Sequence, residues 1–155
     1  DYIHDAIEHG SGFFQHGHTY LGHPIAAAAA NAVLDRLVVD GLVDDVAQKG
    51  EYLKLQLKAK LGQHPHIGNI RGRGLFIGIE FVASQDDKTP FDPALNVAGN
   101  LKKNAFQSGL ACYPAQGTID GRTGDHVLLA PPFIITNDEM DMLVDRLALA
   151  VDMTI

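Results

Sequence analysis

Cys112 is the only cysteine in 155 residues, so no internal disulfide can form. A reducing cytoplasm is then the default compartment. Cys112 itself lies in an apolar, strand-like run, where a small buried residue is the ordinary role. Positive charge is also scarce. Twelve Lys and Arg stand against nineteen Asp and Glu, a formal net charge of −7. That balance argues against nucleic acid or anionic lipid as the main partner. Long apolar runs are missing, because Asn31, Asp35 and Arg36 interrupt the longest, and no membrane-spanning helix is expected. Asp1, Asp5 and Glu8 occupy the stretch where a secretory signal would need basic and then apolar residues. A chain starting at Asp1 rather than Met is expected to be processed or truncated. There is no internal repeat, and the only low-complexity stretch is the alanine run Ala26 to Ala30.

With 46% apolar residues, the chain has enough hydrophobic material for one domain with a real core. Residues 1–15 read as a short helical or irregular lead-in, with Phe13 and Phe14 as anchors for the loop that follows. Pro24 opens a long helix over 24–40 that ends at Gly41. Leu42, Val46, Leu53, Leu57 and Leu61 recur at helical spacing and give a second helix over 42–61. Its early Asp44 and Asp45 and late Lys54, Lys58 and Lys60 complement the helix dipole, and Gly62 stops it. Leu75 to Val82 reads as a strand. Asp92-Pro93 reads as a cap and first turn of a helix continuing to Gly109. Short strands follow at Leu110 to Pro114 and Val127 to Ala130. Thr136 and Glu139 form a capping box for the last helix. The order ααβαββα gives an α+β domain: a small antiparallel sheet with helices on one side. Residues 1–40 read as the tail of a preceding domain and residues 41–155 as the domain proper.

The chemistry-bearing residues concentrate in two glycine-containing loops. In the first, His16-Gly17-His18-Thr19-Tyr20-Leu21-Gly22-His23-Pro24 stands directly before the alanine-rich helix. Its glycines allow sharp turns or close approach to a ligand. Thr19 offers a hydroxyl among loop amides, a setting that holds phosphate, although the residues alone favour a turn threonine bonded to its own backbone. The three histidines lack a nearby carboxylate or cysteine to complete a metal set, so no metal is expected. In the second loop, Gly117 to Gly124, glycines flank Arg122. A guanidinium fork matches a carboxylate; the alternative is a solvated arginine paired with Asp120 or Asp125. Arg71-Gly72-Arg73-Gly74 lacks the third glycine and the following helix of a dinucleotide loop.

Several of these segments together resemble the class III aminotransferases, the pyridoxal-phosphate enzymes of the omega-amino-acid type. The resembling residues are His16 to Ala26, Arg71 to Glu80, Thr89 to Asp92 and Gly124 to Thr136, in the family's order and spacing. The match is to the family's C-terminal part. It implies a fold-type I small domain over 41–155, preceded over 1–40 by the tail and connecting helix of the cofactor-binding large domain. It implies pyridoxal 5′-phosphate as cofactor and a cytoplasmic homodimer in which Thr19, with His18, binds the cofactor phosphate of the partner subunit. It implies that Arg122 pairs with the substrate carboxylate and swings away for uncharged substrates. The substrates implied are an amine or omega-amino acid and a keto acid such as pyruvate. No lysine here matches the family's Schiff-base lysine, which is expected upstream, so this chain supplies no catalytic residue and is expected to be inactive alone. The rival readings are a non-catalytic α+β binding or dimerisation module and a small histidine metal protein.

Overall fold

The computed structural model describes residues 1–155 as two compact units, Asp1–Val39 and Asp40–Ile155. In the first unit, helix α1 spans Tyr2–His9 and helix α2 spans Pro24–Val39. Neither has a buried residue. Phe13 and Phe14 are 66% and 59% exposed, so they do not anchor the following loop within this unit as the sequence reading expected. The Phe14 ring instead lies edge-on to His16.

The second unit holds the core. Helix α3 spans Leu42–Leu61. Strands β1 (Ile67–Arg73), β2 (Phe76–Phe81), β3 (Tyr113–Gln116) and β4 (Asp125–Leu129) form one antiparallel sheet in the order β1-β2-β4-β3. Helices α4 (Val97–Gln107) and α5 (Asn137–Asp152) complete it. The strand period of two does the sorting. Ile77, Ile79 and Phe81 on β2 and Val127 and Leu129 on β4 are buried, while Gly78, Glu80, His126 and Leu128 face the other way. α3 lies on β1 and β2, α4 on β3 and β4, and α5 on both helices. The small antiparallel sheet with helices is the expected architecture.

Three elements differ from the sequence reading. β1 was not expected. Its sequence, Ile-Gly-Asn-Ile-Arg-Gly-Arg, is poor in strand formers and buries only Ile67 and Ile70. Pairing with β2 across the Gly74-Leu75 turn, where Gly74 has φ +56°, makes it a strand. The helix expected from Asp92 to Gly109 is broken. Asp92 caps a single 3₁₀ turn, Pro93–Leu95, and Asn96 then turns left-handed at φ 49° before α4 begins. The third strand is displaced from 110–114 to Tyr113–Gln116, because its register against Leu128 to Asp125 governs its extent; Pro114 is tolerated at the sheet edge.

Close approach fixes α3. A Cβ on Gly50, in the middle of that helix, would collide with the backbone of Gly74 in the β1–β2 turn. Polar contacts then join α3 to α5: Tyr52 Oη donates to Asp141 at 2.9 Å, and Lys60 Nζ to Asp145 at 2.7 Å. The Thr136–Glu139 capping box at the start of α5 forms as expected.

His64, between α3 and β1, is half-buried. Its Nδ1 accepts the His66 N–H at 3.2 Å, while its Nε2 lies 3.8 Å from Asp152 on α5. Burial, and then His66, depress its pKa against the opposing pull of Asp152. A folded pKa below the unfolded value, about 6.5, means that the unfolded chain binds more protons in that window. The stability His64 contributes is therefore present above about pH 6.5 and lost as pH falls through the folded pKa. His64→Gln should flatten this dependence when denaturant midpoints are compared at about pH 7.5 and about pH 5.5. An unchanged slope would mean that another group sets it.

Candidate functional site

The first loop, between α1 and α2, is built from its own turns. Leu21 N–H donates to His18 O and His23 N–H to Tyr20 O, both at 3.0 Å, and Gly22 takes φ +73°. His23 caps α2: its Nδ1 accepts the Ala26 N–H at 3.2 Å. This imidazole thus does the work of an N-cap side chain, with Pro24 as first helical residue. Thr19 is exposed, and its hydroxyl enters no hydrogen bond within the chain. The backbone N–H groups of Thr19 and Tyr20 have no intrachain acceptor either. These neutral donors at the entry to a helix fit a phosphate group. His18 is exposed, its ring edge-on to His16 at 6.1 Å between centroids.

The second loop closes on itself. Gly117 N–H donates to Gly124 O at 2.9 Å, and Ile119 N–H to Thr123 O at 3.1 Å. The Thr118 hydroxyl also donates to Gly124 O, at 3.0 Å. Gly117 and Gly124 both sit at φ +93°, where a side chain would be strained. At the tip, Asp120 Oδ1 accepts the backbone N–H groups of Arg122 at 2.9 Å and Thr123 at 2.7 Å. These bonds, that from Thr123 first, hold the Asp120 carboxyl below its ordinary pKa. Arg122 is exposed, and its guanidinium pairs with neither candidate carboxylate. Asp120 is spent on backbone amides, and Asp125 is fully buried with Oδ1 on the Ala98 N–H at 3.1 Å.

Thr118 and Ile119 also border an open groove of about 570 Å³ on the helix-free sheet face. Arg71, Glu80 and His126 are its polar residues, Phe76 and Leu128 its apolar ones. Arg71 donates to Glu80 at 2.8 Å across the β1–β2 pair. The groove is not legible in the sequence, because no strand is expected over β1, which carries Arg71. Nor is the role of Asp125, which depends on a residue 27 positions away. On α1, His4, Asp5 and Glu8 bring ligand-type atoms within 4.8 Å of one another. All three are exposed, and His4 Nδ1 lies 3.5 Å from Asp5 and 3.6 Å from Glu8, side chains clustered on the helix surface.

Two lysines of α3 are engaged away from both loops. Lys49 donates to Phe133 O at 2.7 Å, tethering the Pro131-Pro132-Phe133 segment to α3, and Lys54 pairs with Glu51 at 2.8 Å.

The sequence model of the family described as Aminotransferase class-III matches residues 1–151. An uncharacterised aminotransferase of Schizosaccharomyces pombe is 46% identical over 145 residues, covering 94% of this chain and 31% of that protein. The structure of an (S)-enantioselective omega-transaminase from Thermomicrobium roseum superposes with a TM-score of 0.83 at 30% identity, over 100% of this chain and 33% of that one. A PLP-bound amine transaminase from an uncultivated Pseudomonas species gives 0.81 at 33% identity, over 98% and 33%. The chain thus spans about a third of the length of the relatives and structures it matches.

Proposed function

Because this chain belongs to the class III aminotransferases, a family dependent on pyridoxal 5′-phosphate, we propose that it is the C-terminal part of such an enzyme. The complete enzyme would move an amino group between an amine or omega-amino acid and a keto acid such as pyruvate. The observation that carries this reading is the second loop: a cation free of intrachain partners, whose own backbone N–H and that of Thr123 are held by Asp120. A carboxylate-bearing substrate matches that cation. The omega-transaminase and amine transaminase structures among its likenesses support the choice of donor class.

In this reading residues 1–40 are the tail of the large domain with its connecting helix, and residues 41–155 are the small domain. The exposed apolar residues of α2, among them Ile25, Val33 and Val38, support a helix that the complete enzyme covers. Thr19, with His18, would contact the phosphate of the cofactor bound by the partner subunit of a cytoplasmic homodimer. When bound, that cofactor supplies an electron sink for the chemistry. Thr19 holds the phosphate by hydroxyl and amide donors without adding a full charge. Arg122 takes the carboxylate bidentately and, lacking a fixed partner, turns away when the substrate has none. The lysine that carries the cofactor lies outside this segment.

Two substitutions in the complete enzyme test the two contacts separately. Thr19→Ala removes one hydrogen bond to a charged group, a loss of about 1.5–3 kcal/mol. Cofactor affinity, measured as the dissociation constant of dialysed enzyme, should fall about ten- to hundredfold, with little change in turnover of saturated enzyme. An unchanged constant removes Thr19 from the phosphate site.

Arg122→Ala should separate substrates by their carboxylate. The half-reaction with pyruvate should lose kcat/KM by at least about tenfold, as a charge-assisted contact disappears. The half-reaction with an amine lacking a carboxylate should change little. Arg122→Lys should recover only part of the loss, because it keeps the charge without the planar fork. Equal losses in both half-reactions would place Arg122 in the fold or the dimer instead.

A further inference from the structure

The freedom of Arg122 has a local cause. Asp120, two residues before Arg122, is the one carboxylate within the Gly117 to Gly124 loop. Here the carboxylate is turned inward. Asp120 Oδ1 is shared between the backbone N–H groups of Arg122 and Thr123, at 2.9 and 2.7 Å, in the Asx-turn manner. These bonds fix the backbone from which the Arg122 side chain departs. They also occupy one of the two oxygens a bidentate guanidinium would need. Below the tip, the loop is closed by Gly117 N–H on Gly124 O and by Gly121 N–H on Gly117 O, at 2.9 and 3.0 Å. No other side chain holds the Arg122 amide.

We propose that Asp120 is a positioning residue for Arg122: it pins the Arg122 and Thr123 amides, so that the guanidinium starts from a fixed base and remains unspent for a carboxylate-bearing substrate. The inference rests on the carboxylate role of Arg122 given above. It assigns Asp120 two opposing effects. Its oxygen orders the loop, which lowers the ordering cost of binding a carboxylate. Its negative charge, close to Arg122 in sequence, weakens the attraction for a second anion. Geometry and charge can therefore be removed one at a time. Asn keeps the acceptor oxygen and tolerates the same turn, while Ala removes oxygen and charge together.

The experiment uses the complete holoenzyme with Asp120→Asn, Asp120→Ala and Arg122→Ala side by side. Asp120→Ala should raise KM for pyruvate at least about fivefold, with kcat at saturation and the carboxylate-free amine half-reaction little changed. Asp120→Asn should restore KM to the original value or lower it by up to about twofold, since the competing charge is gone. Hydrogen exchange adds a readout independent of turnover. The Arg122 and Thr123 amides should lose protection in Asp120→Ala and keep it in Asp120→Asn. If Arg122→Ala itself fails to discriminate between the half-reactions, the carboxylate reading falls and this inference falls with it. If Arg122→Ala discriminates but Asp120→Ala does not, positioning by Asp120 alone is overturned. Equal KM increases in the Asn and Ala variants, or unchanged exchange in Asp120→Ala, overturn it as well.

Discussion

One carboxylate ties together the parts of the second unit that matter most. Asp125 is the buried charged residue of the core, with 0% exposure. Taking a carboxylate out of water costs several kcal/mol even after relaxation (about 3–5 when its partner is lost), and burial pushes its pKa up. Two things work against that cost. Oδ1 accepts the Ala98 N–H in the first turn of α4, and the field at that helix start favours negative charge by about 0.3–1 kcal/mol or more. Asn96, the residue in the capping position, makes no side-chain cap of its own. Asp125 thus caps a helix that its local sequence leaves uncapped. It also pairs in the sheet with Phe81 and Gln116 and immediately follows Gly124, which closes the Arg122 loop. Helix, sheet and loop share this residue, so the loop's base is as fixed as the core.

The first unit rests on a different constraint. Its α2 carries apolar residues on every side and buries none of them. An isolated helix of that kind gains nothing from its hydrophobic surface, because burial against another layer is what makes such a surface stabilising. Propensity, Pro24 and the His23 cap still make it helical. On the proposed reading, this helix belongs to a larger body whose remaining residues supply the contact. The second unit differs sharply: Leu53, Leu57, Ile77, Ile79 and Leu147 are wholly buried there by neighbours within the same unit.

Legibility in the sequence followed the range of the forces involved. The span of α3 was readable to its ends because apolar period, dipole-matched charges and a stop residue are local. The capping box at Thr136 was readable for the same reason. β1 was not, since two arginines and two glycines carry no strand signal and only the partner strand defines it. Nor was the break at Asn96, after which the Asp125 carboxylate caps α4 at Ala98, 27 residues away from it. The packing of Gly50 against Gly74 joins two glycines that look unremarkable in their own segments. For the candidate site, the residues alone left Thr19 between phosphate contact and turn residue, and Arg122 between substrate contact and surface ion pair. Family resemblance, and not spacing, favoured the functional choice in each case. The structure adds that Asp120 accepts from the backbone amides of its own turn and that Asp125 is buried with Oδ1 on Ala98, the second a contact that no local pattern could reveal.

The two loops share a design that bears on function more directly than their composition does. Each builds its turns from its own groups: the first through its backbone turns and the His23 cap, the second through Gly117, Gly124 and Asp120. The groups left over in the two loops differ in kind. Thr19 and its neighbouring amides are neutral donors, suited to an anion whose charge is met elsewhere as well. Arg122 is a full cation on a long side chain, suited to an anion present in one substrate and absent from the next. Had the first loop used a lysine, it would have gained attraction but lost the directional fit of several short donors. Had the second used a hydroxyl, it could not have reached out and withdrawn. On the proposed reading, the chemistry left unspent in each loop matches whether its ligand stays or leaves.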